Sequence, residues 1–213
     1  MEIFTIGYSN HTIAVFRSLL RQHGITAIAD VRSRPFSRYL THFNQIELKQ
    51  YLKEEEIHYV FLGKELGARP EDSSCYVEGR AVYEKIAQTD NFKEGIDRLR
   101  RGVKKHRIAL MCMERDPLTC HRAILVAPHL KEYDLSIFHI KGNGGLESHE
   151  ELEDRLLQKH GFTQFNSVSQ LSLFDSSSPE LTKADCLLEA YKLQGQEIAY
   201  TEKKEVLQEY DYV

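Results

Sequence analysis

The residues with the clearest capacity for chemistry lie between positions 107 and 122 of this 213-residue chain. The apolar run at 108–111 is typical of a strand that is buried on both faces. Cys112 and Glu114 follow this run within three positions. Thr119 is then placed to cap a helix that starts near Cys120, because a threonine side chain can accept a hydrogen bond from the first helical turn.

The predicted helix would carry Cys120, His121 and Arg122 in its first turn. Unpaired backbone N–H groups and the helix dipole favour thiolates and anions at that place. Proteins of the α/β class build their sites where strands end and helices begin. We therefore predict a catalytic group at the C-terminal edge of a sheet, formed by Cys112, Glu114, Cys120, His121 and Arg122.

Three chemistries fit this group. Cys120 or Cys112 could be a nucleophile, activated by the helix N-terminus, His121 and nearby arginines. Glu114 could instead be a general acid or base, or could stabilise a developing cation at a sugar carbon. In a third interpretation, Cys112, Cys120 and His121 bind a soft metal ion such as zinc. The spacing of the two thiols matches no common zinc motif, so metal binding ranks last and we predict no metal or other cofactor.

A purely structural interpretation has two buried packing cysteines and an ion pair between Glu114 and Arg122. The density of reactive residues at one strand-to-helix junction argues against it. A second polar group is expected at the same edge of the sheet, where other strands end. Its serines and arginines match the geometry of phosphate, although a solvated basic loop would have the same composition. We predict that substrate is bound by Ser9, His11, Asp30, Arg32, Arg34, Ser37 and Arg38.

The order of the elements predicts an α/β fold. Strand patterns at 3–6, 25–31, 57–62, 108–111 and 135–140 alternate with helical patterns. This alternation predicts a mostly parallel sheet of about five strands with helices on both faces. We divide the chain into a domain at 1–162, a linker or extended segment at 163–180, and a helical C-terminal extension at 181–213.

The composition is that of a globular protein, and it excludes some classes of function. A formal net charge of −4 excludes a globally basic nucleic-acid-binding protein, so any anion site must be a local patch. No apolar stretch is long enough to cross a membrane, and the first residues resemble a strand rather than a signal peptide. The four cysteines lack disulfide spacing, with Cys75 expected in a loop and Cys186 in a packing position. We expect a cytoplasmic protein with no membrane partner.

Three motifs together resemble a known family. They are Cys-x-Glu-x5-Cys-His-Arg at 112–122, Thr-Ile-Gly-Tyr-Ser at 5–9 and Asp-Val-Arg at 30–32. In this order they are similar to domain-of-unknown-function family 488, and the resemblance covers roughly residues 1–160. It implies a Rossmann-like α/β fold and leaves the reaction open.

A short motif in the predicted linker suggests a partner. The sequence Gln-Leu-Ser-Leu-Phe at 170–174 resembles the peptide by which bacterial replication and repair proteins bind the DNA polymerase sliding clamp. An extended segment would place Leu171, Leu173 and Phe174 in an apolar groove while the Gln170 amide hydrogen-bonds at its edge. The alternative is an edge strand of the protein's own sheet. We favour docking, which would bring the domain to DNA.

Two classes of function therefore remain open. The first is an enzyme, of hydrolase or transferase type, that acts on a nucleotide or nucleic acid in DNA repair or modification. The second is a binding module that uses the same cleft without catalysis. Substitution of Glu114 separates them, because a binding module would keep its ligand and an enzyme would bind without turnover.

Overall fold

The computed structural model describes residues 1–9, 11–162 and 182–202, and the core of this part is a six-stranded sheet. The strands are β1 (Glu2–Gly7), β2 (Ala27–Asp30), β3 (His58–Phe61), β4 (Tyr76–Val77), β5 (Arg80–Ala81), β6 (Ile108–Cys112), β7 (Ser136–Ile140) and β8 (Leu146–Ser148). The sheet order is β3-β2-β6-β1-β7-β8, and β4 and β5 form a separate hairpin. The first five strands of this order are parallel, whereas β8 is antiparallel to β7. The predicted α/β fold with a mostly parallel sheet is confirmed.

The described α-helices cover both faces of the sheet. Their bounds are α1 (Ile13–Gln22), α2 (Gln45–Glu54), α3 (Gly63–Leu66), α4 (Tyr83–Gln88), α5 (Asp90–Gly102), α6 (Ala127–Lys131), α7 (His149–Lys159) and α8 (Lys183–Ile198). Short 3-10 turns occupy Thr41–Phe43, Ser73–Cys75 and Pro117–Thr119, and a π-helical turn occupies Arg122–Val126. No helix in the described part of the chain has the length and apolar character required to span a membrane.

The central strand β6 is buried along its whole length, which agrees with its uninterrupted apolar sequence. Alternate side chains pack into different clusters. Leu110 and Cys112 belong to the cluster that also contains Cys120, and Ala109 and Met111 belong to the cluster on the opposite face. Pleating of the strand therefore directs the Cys112 thiol to the same face as Cys120.

The segment between β6 and α6 differs from its predicted form. Thr119 does not cap a helix, because Asp116 caps the short turn at Pro117–Thr119 by accepting from the Leu118 amide at 3.0 Å. Cys120 is extended, with φ −135° and ψ 137°, so it lies just before the helical residues and not in their first turn. The π-helical turn follows, in front of α6, which contains Pro128. A proline has no N–H to donate to the preceding turn, which accounts for the wider turn there.

Cys75 lies in the short turn before the hairpin, which agrees with its expected place in a loop, but its side chain is fully buried in the core because the hairpin and α4 pack around it. Residues Arg80–Ala81 form a strand, and α4 begins at Tyr83. Cys186 packs in the core as predicted.

Helix α8 is joined to the main domain by packing and by hydrogen bonds. Ala190 is fully buried in the same cluster as Cys112, and Gln194 Nε2 donates to the Leu118 carbonyl at 2.9 Å. The predicted helical C-terminal extension is thus confirmed for α8. The proposed clamp-binding residues Gln170, Leu171, Leu173 and Phe174 lie outside the described residues, as do residues 203–213 of the extension.

Candidate functional site

The candidate site lies where β2, β6 and β1 end side by side. Gly7 pairs with Cys112 and Asp30 with Met111, so these strands finish at one edge of the sheet. The chain that leaves β1 stays close to the chain that leaves β6, since the Ser9 amide donates to the Met113 carbonyl at 2.9 Å. This edge gathers the ends of sequence segments that are up to about a hundred residues apart.

Cys112, Cys120 and His121 form a compact buried cluster. His121 Nδ1 lies 3.8 Å from the Cys112 sulfur and 3.9 Å from the Cys120 sulfur, and all three atoms lie within 4.8 Å of one another. The other ring nitrogen, Nε2, lies 3.0 Å from the Val31 carbonyl oxygen. A carbonyl only accepts hydrogen bonds, so Nε2 carries a proton and Nδ1 faces the two sulfurs. This is the set of residues that could hold a soft metal ion.

The pKa values of the Cys112 and Cys120 thiols are shifted in opposite directions. A hydrogen bond to Cys120, together with burial, raises the pKa of Cys112 well above its usual range. Burial also opposes ionisation of Cys120, but its hydrogen bond with Cys112 and the positive charges of Arg122 and His121 hold its pKa well below the usual range. The pair therefore favours a Cys120 thiolate that accepts from a Cys112 thiol.

Glu114 lies beside this cluster and is half-buried. One carboxyl oxygen, Oε2, is shielded from solvent and has no hydrogen-bond partner in the described structure. Burial and the proximity of Cys120 raise the pKa of Glu114. A buried, unsatisfied carboxyl oxygen is costly to stability, and a water, a ligand or a reacting atom can complete it.

The backbone around Glu114 is held by Gly7 and Arg122. A Cβ atom on Gly7 would overlap the Glu114 carbonyl oxygen, so only glycine permits this close approach of the two chains. The Arg122 guanidinium donates from Nη1 to that carbonyl at 2.8 Å and from Nη2 to the Arg115 carbonyl at 3.4 Å. Arg122 therefore binds the Glu114 backbone and does not form the Glu114–Arg122 carboxylate pair of the structural interpretation. Its role here is to fix the loop that carries Glu114.

Arg122 is itself held by a buried chain of hydrogen bonds. Its Nε donates to the Thr5 hydroxyl at 3.2 Å, and that hydroxyl lies 2.8 Å from His139 Nδ1. Because the hydroxyl accepts from Arg122, its own proton is available to His139. His139 Nε2 lies 3.1 Å from His149 Nδ1, which extends the chain away from the candidate site.

The chain continues to the C-terminal helix. His149 Nε2 lies 2.9 Å from the Tyr191 hydroxyl, which donates to Glu153 Oε1 at 3.1 Å. Lys131 closes the chain by donating to the other Glu153 oxygen at 2.7 Å. Burial lowers the pKa of both histidines, that of His149 to about 4, so both rings are neutral at pH 7. Along the chain from Arg122 to Tyr191, each group then donates its hydrogen bond to the next one, and the last bond is donated to the Glu153 anion.

Asp30 and Arg32 form a second buried unit. Arg32 donates from Nε to Asp30 Oδ1 at 2.9 Å and from Nη2 to Oδ2 at 2.6 Å. It also donates to the Tyr8 hydroxyl at 3.1 Å and to the Phe43 carbonyl at 2.9 Å. Asp30 and Arg32 are thus a buried ion pair. Since the donors of Arg32 bind groups of the protein, this residue orders the loop after β2.

The other predicted binding residues lie around this edge with more exposure. Arg34 and Arg38 are exposed, and Ser9 is half-buried. The Ser37 hydroxyl accepts from the Leu40 amide at 3.1 Å, so it shapes its own loop. His11 is half-buried. Burial, and to a smaller extent the positive charge of Arg115, lowers its pKa.

A cleft of about 360 Å³ adjoins the Glu114 loop. Arg115 and Lys141 supply positive charge to its wall, and Gly142 lies between them. A Cβ atom on Gly142 would come within 3.2 Å of the His11 ring and 3.4 Å of Arg115 Nε, so a side chain there would crowd this wall. Across residues 1–9, 11–162 and 182–202, neither Arg115 nor Lys141 forms an ion pair. Arg155 also lines the cleft and pairs there with Asp116 and Glu147, so Arg115 and Lys141 supply the two cations of the cleft that have no ion pair within the described residues.

Sequence reasoning missed several residues of this edge. Tyr8 contacts Arg32, and Tyr83 is buried near both cysteines, where burial and the charge of Cys120 raise its pKa. The position of Tyr8 directly after β1 was a usable signal. Tyr83 and Tyr191 carry no local signal, because helix packing alone brings them to the site and to the histidine chain.

Comparison with known proteins gives one match. A family model described as domain of unknown function DUF488 matches residues 12–127, which is more than half of the chain. The matched part includes β2, β6 and the whole segment from Cys112 to Arg122. Searches of the curated proteins and of the solved structures found no match.

Proposed function

Since the chain belongs to the DUF488 family, whose description assigns no reaction, we propose from the site itself that it is an enzyme acting on a phosphate-bearing substrate. The substrate class is a nucleotide or nucleic acid, and the reaction is a hydrolysis or group transfer in DNA repair or modification. We assign the role of general acid or base to Glu114. The observation that carries this assignment is its buried, unpartnered carboxyl oxygen at the C-terminal edge of the sheet.

Exposure favours Glu114 over either thiol as the reacting group. Cys112 and Cys120 are 4% and 1% exposed, so a substrate atom has no path to either sulfur without movement of the surrounding side chains. Glu114 is half-buried and lies between the exposed residues Met113 and Arg115. A general acid or base must come within hydrogen-bond distance of the atom it protonates or deprotonates. Glu114 meets this requirement better than the cysteines do.

Phosphate binding is supported by the cations around Glu114. Arg115 and Lys141 line the adjoining cleft, and Arg34 and Arg38 are exposed on the loop after β2. A guanidinium group binds phosphate oxygens through two parallel N–H donors, and an ammonium group adds a compact charge. The net charge of −4 makes such a local group of cations distinctive in this chain.

Binding can be tested by removing charge from the cleft. The double variant Arg115→Gln/Lys141→Gln should weaken binding of an oligonucleotide or nucleotide, and it should lower the slope of log K against log salt by about 2. The matched control is Lys49→Gln/Lys53→Gln, which removes the same charge from exposed positions on α2. Equal loss of binding in both double variants would indicate a general charge effect and contradict the cleft assignment.

Catalysis can be separated from binding at Glu114. Glu114→Gln keeps the shape of the side chain and removes its ionisable group, so the variant should bind a phosphate-bearing substrate and fail to convert it. Single-stranded DNA, duplex DNA, RNA and free nucleotides would be incubated with both proteins, and the products would be identified by mass spectrometry. Unchanged turnover in the variant would refute the role of Glu114. Binding without turnover in the wild type would support the non-catalytic binding module.

Delivery to DNA is the remaining part of this proposal. It rests on the match of residues 170–174 to a sliding-clamp-binding peptide. Binding of the full-length chain to a bacterial clamp should be lost in the Leu173→Ala/Phe174→Ala variant. Equal binding by the variant and the wild type, or no binding by the wild type, would contradict it.

A further inference from the structure

We propose that Cys112, Cys120 and His121 bind a soft divalent metal ion, with zinc as the best match to this set of donors. The proposal does not depend on the catalytic role of Glu114. In the sequence the spacing of the thiols resembles no common metal motif, but the fold places the three donor atoms at one point. Two sulfurs and one imidazole nitrogen are the ligands that zinc prefers in proteins.

The distances fit a tetrahedral site. With zinc–sulfur bonds of about 2.3 Å and zinc–nitrogen bonds of about 2.0 Å, the sulfur and nitrogen ligands of such a site lie roughly 3.5 Å apart and the two sulfurs roughly 3.8 Å apart. His121 Nδ1 lies 3.8 and 3.9 Å from the two sulfurs, and all three atoms lie within 4.8 Å of one another. Movements of no more than about one ångström would therefore complete the coordination.

The surroundings of His121 also fit a ligand role. Its Nε2 faces the Val31 carbonyl at 3.0 Å, so Nδ1 is the nitrogen that faces the sulfurs, and it would bind the ion after releasing any proton that it carries. Histidines that bind metals usually donate their second ring N–H to a backbone carbonyl or a carboxylate in this way. The same bond fixes the orientation of the ring before any ion arrives.

The two cysteines lie on backbone that is already held. The Cys112 carbonyl accepts from the Tyr8 amide at 3.1 Å, and the Cys120 carbonyl accepts from the Ala123 and Ile124 amides, each at 3.1 Å. Two thiolates and one divalent ion sum to zero charge, so a loaded centre can be buried without another counter-ion. These features make the cluster a preformed site.

The three donors leave one coordination position for a further ligand. Three protein ligands with one open position is the pattern of catalytic zinc sites, including sites of two cysteines and one histidine. Glu114 lies next to both thiols and is half-buried. Its carboxyl group is therefore a neighbour of the proposed site.

The proposal can be tested by measuring metal in the full-length protein purified without chelators. Inductively coupled plasma mass spectrometry should find one zinc ion per chain, lost in Cys112→Ser and in Cys120→Ser. Cys75→Ser is the matched control, since Cys75 is equally buried and lies away from the cluster, and it should keep the metal. Glu114→Gln should also keep the metal, so loss of its activity would test the proposed function separately.

A second measurement needs no variant to fold. Co²⁺ added to the metal-free wild-type protein should give the visible and near-ultraviolet absorption of tetrahedral cobalt with thiolate ligands. Absence of this spectrum, together with no bound zinc, would overturn the proposal. A Cys112–Cys120 disulfide in the protein as purified would overturn it as well, because that bond would consume both donors.

Discussion

His149 gives a prediction whose magnitude follows from the structure. The ring is 1% exposed and accepts from His139 while it donates to Tyr191. Glu153 and Glu150, on its own helix, favour its protonation, whereas burial and Lys131 oppose it, and burial dominates. The result is a pKa of about 4 in the folded protein.

The sign of the effect follows from this pKa. The unfolded chain has a histidine pKa of about 6.5, so on acidification the unfolded state takes up the proton first. Stability therefore falls as the pH drops from about 7 towards 4, and the contribution of this ring levels off below 4. For a shift of this size the loss between pH 7 and pH 5 is about 2 kcal/mol.

Replacement of the ring tests this magnitude. His149→Gln keeps a hydrogen-bonding side chain but removes the titration, so the free energy of unfolding should fall about 2 kcal/mol less between pH 7 and pH 5 than in the wild type. Urea unfolding followed by circular dichroism at pH 7, 6 and 5 gives both curves. Because His139 is bonded to His149 and its pKa depends on that ring, the difference between the two curves reports the histidine pair. Parallel curves for the two proteins would refute the account of the buried histidine chain.

Three further predictions concern stability and use the same unfolding measurement. Gly7→Ala should cost more than about 3 kcal/mol or prevent folding, because its Cβ overlaps the Glu114 carbonyl oxygen; a cost below 1 kcal/mol would mean that the loop can move away. Tyr191→Phe should cost about 1–2 kcal/mol through its lost hydrogen bonds, and no cost would remove α8 from the chain of donors. Arg32→Lys should cost about 3 kcal/mol, since lysine cannot form the bidentate pair with Asp30; a neutral effect would contradict its structural role.

The fold could be predicted because each strand carries a local pattern. Five apolar runs separated by helical patterns correspond to the five parallel strands, and the capping box at Ser148 marks the start of α7. Strand β8 has only three residues and follows a glycine-rich loop, so it is too short to show the alternation of apolar and polar residues that marks a strand. Cys120 was misplaced by one residue because Asp116, followed by Pro117, starts a separate turn before the helix.

The candidate site was predictable in position but not in its contacts. The predicted strand ends indicated where polar residues would lie close together, since parallel strands end at one edge of the sheet. Whether an arginine there is buried or exposed depends on its tertiary partners. The sequence alone therefore could not predict that Arg32 is buried and Arg34 is exposed. The bond between Thr5 and His139 joins residues 134 positions apart, and only the register of β1 with β7 brings them together.

The central claim is that this edge of the sheet binds a phosphate-bearing substrate with its reacting bond at Glu114. The most direct measurement is a crystal structure of the Glu114→Gln variant with a nucleotide or oligonucleotide that the wild type converts. We predict a phosphate group in contact with Arg115 or Lys141 and the reacting bond beside the substituted side chain. A substrate bound elsewhere, with no contact to the segment from Cys112 to Arg122, would contradict the claim.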